Sequence, residues 1–115
     1  MKKEIVSTSF DTILDALGHV DRRRLFLALL HANVDDELPV EVDTLEHDST
    51  EDAFRLSMRH VHLPKLDDDG FVDTNSDHTA VTTGPRFDEI RPLLELLDAN
   101  RGQLPDDWLP QPRRQ

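Results

Sequence analysis

The chain reads as a mainly α-helical domain carrying one small β ribbon. Three observations predict this class. Apolar residues recur at three- and four-residue steps over 10–17, 25–32 and 87–97. A capped helical stretch from about Thr50 to Leu63 runs toward Gly70. Beyond it, Phe71-Val72 and Ala80–Thr83 flank Asn75-Ser76-Asp77, which is turn chemistry between two short strands. Helices followed by a helix, a strand, a tight turn and a second strand make up a winged helix-turn-helix. The helix before the ribbon is then the recognition helix, and the ribbon is the wing.

With 115 residues the chain has the size of one domain with a modest core. It divides into a winged-helix domain over 1–102, whose last helix occupies about 86–100, and a Pro-rich tail over 103–115. Residues 1–8 read as a loose lead-in. Phe10, Ile13, Leu14 and Leu17 lie on one helical face, with Ser9 as cap and Gly18 as stop. Asp21 can cap a second helix, which buries Leu25, Ala28, Leu29 and Ala32 and ends near Asn33. Arg22, Arg23 and Arg24 crowd its first turn, where the helix dipole disfavours cations. They are expected to pair with nearby carboxylates or stay solvated, with phosphate contact as the alternative. Over 34–48, Val40 and Val42 alternate like a short strand, and Asp43-Thr44-Leu45-Glu46 supplies a single capped turn. A helix-turn-helix needs a helix here, so the first helix of the motif is short or degenerate.

In the central helix, Ser49 or Thr50 is the cap, and Ser49 with Asp52 makes a weak capping box. Phe54, Met58 and Val61 form the expected buried stripe, and Arg55, Arg59 and His62 a polar stripe on another face. Pro64 breaks the regular helix after Leu63 and starts a further turn through Lys65 and Leu66. Gly70 closes it in a left-handed conformation. After Gly84-Pro85, the residues Phe87, Ile90, Leu93, Leu94 and Leu97 make an apolar stripe, and Pro92 shifts the helix start toward Asp88. In the tail, Leu104, Trp108 and Leu109 can dock on the domain or on a partner subunit.

The segment HVHLPKLDDDGFVD (60–73), ending in a turn and a second strand, resembles haloarchaeal winged-helix domains, as does DRRRLFLALL (21–30). Those domains are similar to ArsR-like transcriptional regulators. The resemblance covers roughly residues 10–83. It implies a winged-helix fold, and it implies that the helix after the wing is a dimerisation helix, with Phe87, Ile90, Leu94 and Leu97 in the interface.

The net charge is −11, which taken alone argues against nucleic acid as a partner. The residue types alter that reading. Asp outnumbers Glu seventeen to seven, and Arg outnumbers Lys ten to three, a halophilic pattern. In molar salt the Debye length is about 3 Å, so the local sign of charge matters more than the total. Residues 31–51 sum to −8, residues 52–65 to +2, and residues 66–80 to −5. The recognition helix is a basic island between acidic blocks. No apolar run is long enough to span a membrane, there is no signal-peptide pattern, and there is no cysteine. A cytoplasmic protein without disulfides is expected.

Arg55, Arg59 and His62 are therefore the candidate DNA contacts, since arginine can bind guanine edges and phosphate. His60 and Lys65 rank below them. The core can claim His60, and Asp68 and Asp69 can neutralise Lys65. His60 and His62 do not share a helical face, known zinc-site spacings are absent, and no metal site is expected. No Gly-rich phosphate loop or nucleophile motif occurs, so neither a catalytic site nor a cofactor is expected. The function implied is a homodimeric transcriptional regulator that binds double-stranded DNA. The alternative is a winged-helix protein-interaction module that has lost DNA binding.

Overall fold

The computed structural model describes residues 9–109. Helix α1 (Phe10–Ala16) is capped by Ser9, whose hydroxyl accepts from the Thr12 amide at 3.1 Å. Helix α2 (Val20–Asp35) starts at His19 rather than Asp21, because the His19 ring accepts from the Asp21 amide at 3.1 Å. It runs two residues past Asn33 and ends at Asp36 in the left-handed region. Leu25, Phe26, Leu27, Leu29 and Leu30 are all buried, so α2 is apolar around most of its girth and forms the central post of the core.

Two of the three arginines in the first turn of α2 find their partners at the end of α1. Arg22 donates to the carbonyls of Ala16 (3.1 Å) and Asp15 (3.0 Å), and Arg23 to that of Leu17 (2.6 Å). These carbonyls close the C-terminal end of α1, where cations are favoured. Arg24 takes the expected carboxylates, Asp21 at 3.0 Å and Asp48 at 2.9 Å.

Strand β1 (Val40–Glu41) leads into one 3₁₀ turn, Val42–Thr44. Helix α3 (Glu51–Ser57) is capped by Thr50, whose hydroxyl accepts from the Ala53 amide at 3.1 Å. It continues through a π turn (Met58–His62) into α4 (Leu63–Asp68), which carries Pro64 in its first turn. Gly70 follows at φ +84°, the left-handed residue expected there. Strands β2 (Val72–Thr74) and β3 (Ala80–Thr83) flank a turn held by Asn75, whose side-chain Oδ1 accepts from the amides of Thr79 and Ala80. The sheet is three-stranded and antiparallel in the order β1-β3-β2, with Val40 opposite Val81 and Val72 opposite Thr83. Gly84 is required beyond β3. A Cβ there would stand 2.6 Å from the Gly70 carbonyl and 2.8 Å from the Val72 nitrogen.

Helix α5 (Phe87–Ala99) keeps Pro92 inside its span. Phe87, Ile90 and Leu94 pack into the same core as Phe26, Phe54 and Phe71. The Phe26 ring meets Phe71 edge-on at 6.0 Å. In the tail, Leu109 is buried and Leu104 packs against the core, while Trp108 stays half exposed. The molecule is thus mainly helical with a small antiparallel sheet. The lead-in expected over 1–8 and the last part of the tail, 110–115, lie outside the described residues.

Candidate functional site

The long helix over 51–68 carries every candidate DNA contact, and the π turn sorts them into two groups. The Leu63 amide bonds the Met58 carbonyl, five residues back, so one extra residue enters that turn. Pro64 is the physical reason at hand. It has no N–H for the His60 carbonyl, and its ring would press on that carbonyl in a regular helix, so the widened turn relieves the clash. Each residue of an α-helix turns about 100°, so one added residue moves the buried face on by one position.

Two expectations are corrected as a result. Val61, expected in the buried stripe, is 53 % exposed, and His62, expected on the polar face, is only 3 % exposed. The inward stripe is Phe54, Met58, His62, Leu63 and Leu66. The His62 ring lies 4.5 Å from the His19 ring, and its Nδ1 is 3.4 Å from an Arg22 guanidinium nitrogen. Burial, reinforced by His19 and Arg22, pushes His62 down to about 4. His62 is therefore a neutral, inward group and not a DNA contact.

Lys65 is corrected as well. It pairs with Asp15 of α1 and, at 3.7 Å, with Asp69, and the Asp15 hydrogen bond raises its pKa. Asp69 is one of the two acidic neighbours that could reach it within its helix; the Asp15 contact is non-local. Lys65 thus ties α4 to α1 and takes no part in the outward face.

Arg55, Arg59 and His60 remain, all exposed, and the core does not claim His60. Arg55 donates twice to Asp43 (3.0 and 3.3 Å) and lies 3.5 Å from Glu51, and the Asp43 contact raises its pKa. The Arg59 side chain makes no hydrogen bond or ion pair with any described residue. With Arg55, Val42, Asp43, Asp77, His78 and Thr79 it lines a cleft of about 340 Å³ between α3 and the turn of the ribbon. His78 holds φ +58° on that turn. Asp77, His78 and Thr79 join the site across the fold, and their signal in the sequence was the Asn75-Ser76-Asp77 turn. Leu56 is 62 % exposed on the same outward side, beside Arg55, Arg59 and His60.

The dimerisation residues also need correction. Phe87, Ile90 and Leu94 are at most 1 % exposed within a single chain, so they are not free to form an interface. Leu97 and Leu93 are partly buried and line a second, apolar groove of about 370 Å³ with Phe10, Leu14, Leu17, Arg23, Trp108 and Leu109. Of the expected α1 stripe, Ile13 and Leu17 are buried, whereas Phe10 and Leu14 stay exposed at this groove.

No helix among the described residues is long and apolar enough to cross a membrane. The chain matches no protein-family model, and comparisons with curated proteins and with solved structures give no match either.

Proposed function

We propose that the chain is a winged-helix protein whose α3 face meets double-stranded DNA, in the manner of a transcriptional regulator. The observation that carries this reading is Arg59: an exposed guanidinium, uncommitted among the described residues, facing the turn of the ribbon across an open cleft. The element order supports it. Two helices, a strand, a short turn, a long helix and a two-stranded ribbon follow the order of a winged helix-turn-helix. With the outer face of α3 and the following π turn in a major groove, Arg59 and His60 reach base edges or phosphate, and the Asn75–His78 turn lies at the DNA backbone. Arg55 joins them once phosphate displaces Asp43. Affinity selection of the intact chain against genomic DNA fragments, at the salt of a halophilic cytoplasm, tests the reading. Enrichment of a shared sequence is expected. Recovery of fragments at random, at the level of a bead control, overturns it.

The second reading, a protein-interaction module, has its own support. The motif's first helix is reduced to the turn Val42–Thr44, Asp43 and Asp77 bring negative charge to the cleft, and Leu56 and Val61 expose apolar side chains. In either reading we propose a homodimer through the Phe10–Leu14–Trp108 groove in place of the buried α5 residues. Phe10 (62 % exposed) and Trp108 (52 % exposed) both belong to this groove, and in a two-fold pairing the ring of one copy can enter the groove of the other. Light scattering should give twice the chain mass, and Phe10→Asp should return it to the monomer. A monomeric wild type at tens of micromolar would refute this part.

A further inference from the structure

We infer that His19, Asp21 and His62 form a binding site for a borderline divalent metal ion of the Zn²⁺ class, where the first turn of α2 meets the π turn of the long helix. This site does not depend on the DNA reading. One ligand atom from each of the three residues lies within 4.8 Å of the others, across a sequence gap that no spacing motif reveals. A tetrahedral zinc site, with bonds of about 2.0–2.2 Å, needs its ligand atoms roughly 3.4 Å apart. Small rotations close the difference, chiefly at His19, whose ring is exposed, while Asp21 (13 % exposed) and the buried His62 hold the inner side of the site.

The donor set suits such an ion. Two imidazoles and a carboxylate satisfy three positions and leave a fourth for water. Both rings already direct an Nδ1 lone pair at an N–H donor. For His19 that donor is the Asp21 amide at 3.1 Å, and for His62 it is the Arg22 guanidinium at 3.4 Å. A metal ion takes the place of these donors. The long Arg22 contact is the weaker loss, and Arg22 keeps its bonds to Ala16 and Asp15. Asp21 gives Arg24 one oxygen at 3.0 Å, leaving its second oxygen for the ion. The geometry also explains why a histidine occupies an inward position of the long helix that is otherwise Phe54, Met58, Leu63 and Leu66. The wide turn aims its ring at α2 and away from the outer face.

The test is a calorimetric titration of the intact, untagged chain with Zn²⁺, repeated with Co²⁺ in the visible region. One ion per chain is expected, with the intense d–d bands of tetrahedral Co²⁺ and a melting temperature that rises with metal concentration. His19→Asn keeps a capping side chain but removes the ring, and it should weaken binding by about tenfold or more, as should Asp21→Asn. His60→Ala, on the opposite face, should leave binding unchanged. The site is overturned if the wild type shows no saturable binding below about 100 μM. It is equally overturned if His19→Asn, folded by circular dichroism, binds as the wild type does.

Discussion

The two halves of the long helix belong to one unbroken helical run and one series of polar residues, yet they do opposite things. In the first half, Arg55, Arg59 and His60 face outward beside the ribbon. In the second, His62 is buried against His19 and Lys65 is tied to Asp15. The boundary falls within a single widened turn, Met58–His62, which holds Arg59 and His60 outside and His62 inside. The difference teaches that a polar stripe read at helical spacing holds only while the turn width holds. One extra residue exchanged Val61 and His62 and cut the candidate interface to its N-terminal half.

The sharpest way to break this comparison is to probe the phase of the helix. Met58 is fully buried and Val61 is not, so Met58→Ala should cost about 2–5 kcal/mol, and Val61→Ser should stay within about 0.5 kcal/mol. Chemical denaturation checks both. A large loss at Val61 would mean that the helix keeps a regular phase in solution.

The next effect is pH-dependent and belongs to His62. Its folded pKa, about 4, lies below the ordinary 6.5, so the unfolded chain binds the proton more readily. The stability contributed by the neutral ring is complete above about pH 6.5 and is lost as the pH falls toward 4, by up to about 3 kcal/mol. Measured in chelator, the dependence across that window should shrink in His62→Gln. An unchanged slope in the variant would assign the acid sensitivity to other groups.

A smaller effect separates the arginines that build the fold from those that face out. Arg22→Ala removes two bonds to the end of α1 and should cost about 1–3 kcal/mol. Arg55→Ala should leave the melting temperature unchanged, because its contacts lie in solvent. The smallest expected change per residue is collective. Lowering salt from molar to millimolar should reduce the melting temperature through repulsion among the acidic blocks. A flat response would remove the halophilic interpretation of the charge.

Much of the fold was legible because its signals are local. Ser9 before an apolar face, Gly70 after an acidic helix end, and Asn75 between two short strands each act within a few residues. The short strand and single turn over 40–44 were legible for the same reason, in the scarcity of helical pattern over 34–48. What escaped is non-local or depends on backbone detail. Arg22 and His62 meet across forty residues, and nothing in the first turn of α2 announces that its cations close α1. The α5 stripe was correctly apolar, but periodicity does not say whether such a face packs on its own core or on a second copy. Of the candidate contacts, Arg55 precedes the π turn and Arg59 lies on its outer side, so both remained outward. His62, which ends that turn, and Lys65, which follows it, did not.

The claim that the first half of the helix alone meets nucleic acid is tested most directly by comparing Arg59→Ala with Lys65→Ala in one DNA-binding titration, on the selected sequence and at native salt. Arg59→Ala should weaken binding by about tenfold or more with no loss of melting temperature, and Lys65→Ala should bind as the wild type does. Equal losses in the two variants, or a wild type without preference for any DNA, would contradict the account.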